Sequence, residues 1–541
     1  MALRELTSEL IEHYTKAGAW RDRPLYADFD EMADRFPDKI AVADQHEQLT
    51  YAQLRRRSEN LAAWLLEQGL APGAPVAIQG GNRVALAVTH LASGRADLLF
   101  VPLSTTWRRA EMAHLLARSE AEVVIVCGPH KDFDFTTTVR KLQPTLPRLR
   151  SLVGMDGVPA DADFDQVCLE DRVLPARRRD PNAPRYVMAT SGTTGLSQMS
   201  LWSDNNLRCL IRMHLDSAGV GADDIAVGIA PAGTGSTGYV YGVLGPILAG
   251  ATSVLLEEWN SGNALDLIEA VGATHVTAIP TQILKLLNDP SVGDRDFATL
   301  RTCTNGGAAM PPQAAADMER VFGCHNHVSY GASDAGIPTV LWWDDPEEKR
   351  LNTVGRLIKY SEMRLVDSDM NDVGVNERGE ILWRGATNSF GYLNDPERTA
   401  EAFWGEGWFR SGDLGSVDED GYLRIVGRTK DLIIRGGQNI SPRELEDYLI
   451  AQPEIADASV IGVPDAVFGE RVCACVVLMP GASVELSELT SRMRGDGIAT
   501  FKLPERLEVF DDLPKSAGGK VTKVELRAMV AERSGAPAEA H

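Results

Sequence analysis

The sequence lacks the features that would assign it to several large classes of protein. Its 541 residues carry 76 acidic and 54 basic side chains, a formal net charge of -22, so it has no excess of positive charge for general nucleic-acid binding. No apolar run approaches the length of a membrane-spanning helix. The helix predicted over residues 1–20 lacks the uninterrupted apolar core of a signal peptide. We therefore expect a cytoplasmic protein with no membrane span and no nucleic-acid partner.

Cysteine and histidine are present but are not arranged for disulfides or metal binding. The seven cysteines are scattered, and Cys473 and Cys475 share one face of a predicted buried strand. The ten histidines form no ligand cluster, since His325 and His327 alternate as strand residues do. We predict reduced core thiols and no histidine or cysteine metal site. The length of the chain predicts two or more domains.

The order of apolar runs predicts an α/β fold. Runs such as "PVAIQG" and "AEVVIVCG" alternate with helical stretches, which is typical of largely parallel sheets. After about residue 350, runs such as "GEILWRG" indicate antiparallel hairpins. A further α+β unit is predicted to begin near Arg428. Its first helix has Ser441 as N-cap, Pro442 at the first position and Glu444 placed for a capping box.

A loop dense in glycine and hydroxyl residues follows the apolar run at Tyr186. It consists of Thr190, Ser191, Gly192, Thr193, Thr194 and Gly195. Backbone N–H groups and hydroxyls in such a turn can bind phosphate oxygens, although the spacing is not that of a Walker A loop. No Lys or Arg lies in the loop, and Gln198 stands where a cation would be useful. The alternative interpretation is a polar surface loop.

A second glycine pattern favours a different class of enzyme. Gly233, Gly235 and Gly238 spell G-x-G-x-x-G after an apolar run, and Glu257 follows at about the interval of a ribose-binding acid. This pattern alone suggests a dinucleotide-binding oxidoreductase. Pro231 interrupts the junction between the strand and the glycines, which argues against it.

Two further strand ends carry residues that suit a nucleotide. Gly306 and Gly307 follow a short strand and would let a flat ring approach the backbone. Tyr330, Ser333 and Asp334 end another strand and offer an aromatic face, a hydroxyl and a carboxylate for a base, a phosphate and Mg²⁺. The alternative for each stretch is an ordinary turn after a buried strand.

The last third of the chain adds charged residues next to glycines. Asp413 is predicted in a tight turn, where its carboxylate could accept both hydroxyls of a ribose. Lys430 lies at the predicted domain junction, and Gly436 and Gly437 form a bare loop. Lys520 follows two glycines, which predicts a cation on a mobile loop. Such charged loops can also be solvated surface.

Taken in order, from "LTYAQL" at Leu49 to "GGKVTK" at the carboxyl end, these stretches resemble the adenylate-forming superfamily of acyl-CoA synthetases, adenylation domains and luciferase-like enzymes. The resemblance implies a large N-terminal domain, residues 1–428, of αβαβα layers with a small β-barrel-like subdomain. A small mobile α+β domain, residues 429–541, would follow it. The resemblance also makes the G-x-G-x-x-G match accidental, because that segment falls where the family lines its acyl pocket.

The resemblance assigns roles to residues at matching positions. The nucleotide would be bound by Thr190, Ser191, Gly192, Thr193, Thr194, Gly195, Gly306, Gly307, Ala308, Tyr330, Gly331, Asp413 and Arg428. The acid would lie against Thr234, Gly235, Gly238 and Gly307. Catalysis would use Lys520, Ser333 and Asp334, with Asp334 also binding Mg²⁺. Lys430 would be the hinge, and Gly436 and Gly437 would line the tunnel for coenzyme A (CoA).

The implied reaction uses ATP, Mg²⁺ and CoA to convert a carboxylic acid into an acyl-adenylate and then a thioester. The branch containing aryl-acid and cyclohexanecarboxylate ligases looks most similar, so we expect an aromatic, alicyclic or medium-chain acid. A freestanding enzyme that loads a carrier protein is the alternative, and a nucleotide-cofactor-dependent oxidoreductase is a remote one. The expected assembly is a monomer or homodimer. Three departures from the family pattern are expected to shift affinity and acid preference. They are Gln198 for lysine, Ser333-Asp334 for Thr-Glu, and Thr234 and Gly235 where a His or aromatic residue is usual.

Overall fold

A computed structural model describes residues 6–131, 133–189, 197–233, 235–435, 438–465, 467–516 and 519–534, apart from the side chains of residues 439 and 534. The described strands are β1 Ile40–Ala43, β2 Gln48–Thr50, β3 Pro75–Gln79, β4 Leu99–Pro102, β5 Val123–Val126, β6 Ser151–Gly154, β7 Ala162–Asp163, β8 Pro184–Ala189, β9 Met199–Ser203, β10 Ile225–Gly228, β11 Thr252–Leu255, β12 His275–Ala278, β13 Thr302–Asn305, β14 His325–Ala332, β15 Gly336–Val340, β16 Arg356–Leu357, β17 Ser361–Val366, β18 Gly379–Gly385, β19 Phe403–Trp404, β20 Trp408–Val417, β21 Leu423–Arg428, β22 Ile433–Arg435, β23 Gln438–Ile440, β24 Ile455–Asp465, β25 Gly469–Leu478 and β26 Arg506–Phe510.

The described helices alternate with these strands through the first half of the chain. They are α1 Ser8–Lys16, α2 Leu25–Arg35, α3 Tyr51–Glu67, α4 Val84–Arg95, α5 Arg109–Ser119, α6 Phe135–Leu142, α7 Phe164–Leu169, α8 Asp204–Ala218, α9 Gly245–Ala249, α10 Ser261–Ala270, α11 Pro280–Leu287, α12 Pro312–Phe322, α13 Glu347–Asn352, α14 Pro396–Ala402, α15 Pro442–Ile450, α16 Leu486–Gly495 and α17 Lys523–Ser534. A π-helix covers Thr237–Leu244. Within the described ranges, no helix is both long enough and apolar enough to cross a membrane.

The strands of the described residues form four sheets. The largest has nine strands in the order β16-β15-β14-β13-β12-β10-β11-β1-β2, and a second has seven in the order β7-β6-β5-β3-β4-β8-β9. The centre of each is parallel: β12, β13 and β14 run together in the first, and β3, β4 and β5 in the second. The prediction of an α/β fold with largely parallel sheets is confirmed. These two sheets and their helices make up the large N-terminal part of the molecule.

Two smaller sheets follow in the chain. One is a five-stranded sheet in the order β17-β18-β20-β19 with β21 on β20, and its pairs are antiparallel as the sequence predicted. The other belongs to the α+β unit at the carboxyl end, in the order β23-β22-β25-β24 with β26 on β25. Cys473 and Cys475 are buried in β25 as free thiols, which confirms the prediction of reduced core cysteines.

The first helix of the carboxyl-terminal unit begins as predicted but is not capped as predicted. Ser441 occupies the N-cap position and Pro442 the first turn of α15. The Ser441 side chain makes no capping hydrogen bond and instead donates to the carbonyl of Val426 at the end of β21. The hydroxyl therefore ties the small unit to the five-stranded sheet, and the predicted capping box is wrong.

Candidate active site

Parallel strands of the nine-stranded sheet end at one edge, and predicted site residues follow two of them. Gly306 and Gly307 come directly after β13, and Ser333 and Asp334 come directly after β14. In the register of the sheet Asn305 lies beside Val328, so the two segments leave neighbouring strands. Ligands of open α/β sheets bind outside the carboxyl ends of strands. The structure therefore brings these two predicted segments to one edge.

The two glycines after β13 differ in their surroundings. Gly306 is buried, and a β-carbon there would lie 2.8 Å from the Thr237 hydroxyl oxygen. Gly307 is exposed and has φ +85°, a conformation that favours glycine, and Ala308 after it is half-buried. The two glycines therefore add no side chains of their own at the strand end, where the sequence predicts an adenine ring.

The predicted acyl-pocket segment lies against the same edge. Gly235 has φ +69°, and a β-carbon there would lie 3.1 Å from the Ser333 hydroxyl. Gly238 is inside the π-helix, and its β-carbon would lie only 2.1 Å from the carbonyl oxygen of Pro231. π-Helical turns often occur at functional sites. In a dinucleotide fold the glycines would instead open an α-helix directly after a strand.

The predicted ribose-binding residues form a chain of polar contacts. The Tyr330 hydroxyl donates a hydrogen bond of 2.8 Å to Oδ2 of Asp413, and Nε of Arg428 lies 2.8 Å from Oδ1 of Asp413. Burial, with the Asp413 carboxylate, raises the pKa of Tyr330 well above its ordinary value, so the phenol remains a donor. Asp413 lies in β20 opposite Arg428 of β21. The prediction of a tight turn at Asp413 is wrong.

Asp334 is half-buried, and one oxygen of its carboxylate is buried and unsatisfied. In the described part of the chain its Oδ1 has no hydrogen-bond partner. Burial raises the pKa of Asp334, and the nearby Tyr392 hydroxyl and the charges of Arg398, Lys520 and Arg428 act against that increase. An unpartnered buried charge is costly unless a ligand or metal neutralises it. The backbone here is held by Ser200, whose hydroxyl donates a hydrogen bond of 2.6 Å to the Ser333 carbonyl.

Mg²⁺ fits this carboxylate. Magnesium in nucleotide sites is held by one or two carboxylates together with substrate phosphates and water. A single free oxygen on Asp334 provides such a ligand, and among the described residues there is no cluster of three or more metal-ligating side chains that would form a complete protein cage.

Lys520 lies on a tight hairpin of the carboxyl-terminal unit. Ser516 N–H donates to the Lys520 carbonyl at 2.8 Å, and Lys515 pairs with Val521 across the hairpin. A β-carbon on Gly519 would lie 2.6 Å from Cδ1 of Ile279, which directly follows β12. The hairpin therefore rests on the edge where the strands of the nine-stranded sheet end.

The Lys520 side chain interacts electrostatically with other predicted site residues. Burial and the Arg428 charge lower the pKa of Lys520, whereas the carboxylates of Asp413 and Asp334 raise it. Lys430, in the 3-10 turn Thr429–Asp431, also has its pKa lowered by burial and by Arg428. Residues far apart in sequence thus share one cluster of charge.

Several predicted residues lie outside the described residues. These are Thr190, Ser191, Gly192, Thr193, Thr194, Gly195, Thr234, Gly436 and Gly437. The predicted Gly331 is described, and a β-carbon there would lie 2.1 Å from the carbonyl oxygen of Gly336, so only glycine fits that strand position.

Sequence reasoning missed the residues that surround Asp334. Ser389 donates a hydrogen bond to the Asp334 carbonyl, and the Tyr392 hydroxyl lies close enough to influence its carboxylate. Both lie in a connecting segment before α14 that carries turn residues and no chemical motif. Only the fold brings this segment to the edge where β14 ends.

This edge combines glycines without side chains, an unsatisfied carboxylate oxygen and a cluster of cations. Residues 29–393 match the family of AMP-binding enzymes, and residues 444–520 match the AMP-binding enzyme C-terminal domain. The chain therefore belongs to the AMP-binding enzyme family, which is the adenylate-forming superfamily inferred from the motifs.

Named relatives are similar over nearly their whole length. The medium-chain fatty-acid–CoA ligase of Escherichia coli (strain K12) is 33% identical over 96% of this chain and 93% of its own. A salicylyl-CoA synthase / salicylate adenylyltransferase of a Streptomyces species is 31% identical over 96% of both chains. The crystal structure of ATP-bound MatB from Rhodopseudomonas palustris is 27% identical and has a TM-score of 0.85 over 94% of this chain and all of its own.

Proposed function

We propose that this protein is an ATP-dependent carboxylic acid–CoA ligase that forms AMP and pyrophosphate. The observation that carries the proposal is the convergence of Lys520, Asp334 and the Tyr330–Asp413–Arg428 contacts at one edge of the nine-stranded sheet. Family membership and the ligase relatives support the same activity.

In the first half-reaction, a carboxylate oxygen of the acid attacks the α-phosphorus of ATP, and pyrophosphate leaves. Both reactants are anionic, so a cation must hold them together. Lys520 would bind the carboxylate and an α-phosphate oxygen, which neutralises their repulsion and aligns them. Ser333 would donate to the α-phosphate. Mg²⁺ on Asp334, when bound, would add charge compensation for the phosphates.

The nucleoside would lie across the strand ends. The flat backbone of Gly306, Gly307 and Ala308 would contact the adenine on one face, and Tyr330 with Gly331 would contact the other. Asp413 would accept the ribose hydroxyls while Arg428 holds its second oxygen. The loop from Thr190 to Gly195 would hold the outer phosphates.

In the second half-reaction, a thiol attacks the acyl carbon and AMP leaves. We place the domain boundary after Arg428 and the hinge at Lys430, so that residues 429–541 reorient between the half-reactions. Gly436 and Gly437 would then line the passage for the pantetheine arm of CoA.

The acid is proposed to be aromatic, alicyclic or medium-chain. Thr234, Gly235 and Gly238 would line its pocket, and relatives named for medium-chain fatty acids and salicylate support this range. CoA is the proposed acceptor, because the relatives include CoA ligases. We further propose that the enzyme acts in the cytoplasm as a monomer or homodimer.

A panel of carboxylic acids tests the proposal in two assays. ATP–pyrophosphate exchange that depends on the acid is expected first, followed by consumption of CoA with the same acid. AMP release without CoA consumption would indicate carrier-protein loading instead. Absence of exchange with every acid, together with binding of a nicotinamide cofactor, would contradict adenylation and favour an oxidoreductase.

A further inference from the structure

The phosphate-binding loop from Thr190 to Gly195 contains no cation, although it is expected to hold the most negative part of ATP. Phosphate groups in proteins are usually bound by Arg or Lys side chains as well as by N–H groups and hydroxyls. We propose that Arg398 supplies this missing cation, by binding the β- and γ-phosphates of ATP and the pyrophosphate that leaves. This inference rests on the proposed adenylation activity.

The first argument is the position of the segment before Arg398. β9 continues directly from the phosphate-binding loop, and it pairs with the segment that contains Tyr392. Leu393 N–H donates to the Met199 carbonyl at 2.7 Å, and Ser200 forms a β-bridge with Tyr392. Tyr392 therefore lies beside β9, the strand that follows this loop in the sequence.

The second argument is that Arg398 is held against Tyr392. The Thr399 hydroxyl accepts a hydrogen bond of 2.9 Å from Tyr392 N–H, and a β-carbon on Gly391 would lie 2.3 Å from the Thr399 side chain. This close packing fixes the start of α14 on the segment. The Arg398 guanidinium carbon lies 5.6 Å from the centre of the Tyr392 ring.

The third argument is that no ion pair with a carboxylate occupies the Arg398 guanidinium among the described residues. Its side chain is exposed. The adjacent carboxylate, Asp395, already pairs with Arg118 at 3.0 Å and accepts the backbone N–H of Arg398 at 3.2 Å. An exposed arginine on a well-packed backbone, without a carboxylate partner among the described residues, can bind an anionic ligand with its guanidinium group.

The charge of Arg398 reaches the predicted reaction centre. The Arg398 charge opposes the burial that raises the pKa of Asp334, and by repulsion it contributes to the lowered pKa of Lys430. The Tyr392 hydroxyl lies close enough to both Arg398 and Asp334 for each to influence its pKa, so the two groups are near enough to act on one phosphate chain. A cation there would also stabilise pyrophosphate as it leaves.

Binding measurements on the full chain test this role without a known acid. Calorimetric titrations would compare ATP with Mg²⁺, pyrophosphate with Mg²⁺, and AMP for the wild type and Arg398→Gln. Loss of one charge-assisted contact predicts affinity for ATP and pyrophosphate about 10- to 100-fold weaker, with AMP unchanged within about twofold, because AMP has no β- or γ-phosphate. Arg384→Gln is the matched control, since Arg384 pairs with Glu362 on the surface and should leave all three affinities unchanged.

A second variant separates charge from structure. A cation just after the loop, introduced by Gln198→Lys in the Arg398→Gln background, is expected to recover at least about tenfold of the lost pyrophosphate affinity. The same Gln198→Lys change in the wild type should give a smaller gain. Equal weakening of AMP and ATP in Arg398→Gln, no weakening at all, or equal gains from Gln198→Lys in both backgrounds would overturn the inference.

The outcome is distinguishable from failure of the proposed function. If no acid supports ATP–pyrophosphate exchange while Arg398→Gln still loses pyrophosphate affinity selectively, the ligase proposal fails and the phosphate role of Arg398 stands. If exchange occurs and Arg398→Gln binds pyrophosphate as the wild type does, the ligase proposal stands and the role of Arg398 is refuted.

Discussion

Asp413 is held from both sides, by the Tyr330 hydroxyl on one carboxylate oxygen and by the Arg428 guanidinium on the other, each at 2.8 Å. This arrangement orients the carboxylate where a ribose is proposed to bind. Asp413→Asn is expected to weaken AMP and ATP binding equally, by about 10- to 100-fold, since one charged acceptor is lost. Equilibrium dialysis with AMP and with ATP measures the two dissociation constants.

Tyr330→Phe is the matched control for that variant. It keeps the aromatic ring and removes only the hydrogen bond to Asp413, so a loss of about two- to tenfold is expected. A loss as large as that of Asp413→Asn would show that the phenol, and not the carboxylate, carries the affinity.

Lys520→Ala is expected to abolish adenylate formation and largely spare thioester formation from supplied acyl-adenylate. The reason is that the proposed role of the lysine is to join two anions before the adenylate exists. Single-turnover assays of each half-reaction measure the two effects separately. Lys515→Ala, on the same hairpin but paired with Asp457, should leave both half-reactions nearly unchanged. Equal loss of both half-reactions in Lys520→Ala would contradict the assigned role.

Asp334→Asn is expected to stabilise the ligand-free protein at neutral pH. The folded-state pKa of Asp334 is raised above its ordinary value, so its stabilising contribution is full below the unfolded pKa of 3.8 and is lost as the pH rises through the folded value. At pH 7 the ionised carboxylate therefore costs free energy, and the neutral amide removes that cost. An increase in melting temperature of about 2 °C at pH 7 is expected, with a smaller increase near pH 4.

The same Asp334→Asn variant should lose the extra thermal stability that Mg²⁺ with ATP gives the wild type, because the amide is a weaker magnesium ligand. Differential scanning calorimetry with ATP, with and without Mg²⁺, measures this loss. A decrease in stability at pH 7 without ligands would show that the buried oxygen has a favourable contact at that pH.

Gly238→Ala is expected to destabilise the protein and impair use of the acid. A β-carbon at this π-helical position would lie 2.1 Å from the Pro231 carbonyl oxygen, so the backbone must move by about 1 Å or more at a cost of about 1–3 kcal/mol. The KM for the acid should increase more than the KM for ATP. Gly221→Ala is the control, because nothing lies within 4 Å of a β-carbon there. An unchanged KM for the acid would place the acyl pocket elsewhere.

The sequence alone predicts those site positions that depend on a local pattern of apolar residues and glycines. Gly306 and Asp334 follow β-rich runs, so their position after parallel strands could be inferred before the structure was known. The tight turn predicted at Asp413 is wrong because its Gly-Asp context favours a turn, whereas pairing with the next strand, β21, extends β20 through it. The few residues around Asp413 do not encode that pairing.

Other features depend on contacts that no short stretch encodes. Ser441 was predicted to cap its own helix, but a carbonyl of β21 is available to its hydroxyl and takes that bond. Arg398 has no motif around it, and only the packing of Thr399 on Tyr392 gives it a position. The π-helix was missed because its apolar run fits an α-helix equally well.

Burial lowers the pKa of Lys430 and of Lys520, and the neighbouring Arg428 charge lowers both further, so the three cations disfavour one another in this arrangement. A polyanionic nucleotide would relieve that repulsion. By linkage, whatever stabilises the cluster also stabilises the arrangement of the chain that forms it. Binding of the nucleotide and contact of the Lys520 hairpin with Ile279 should therefore be thermodynamically coupled. Release of pyrophosphate would then weaken both AMP binding and the contact of the hairpin with Ile279.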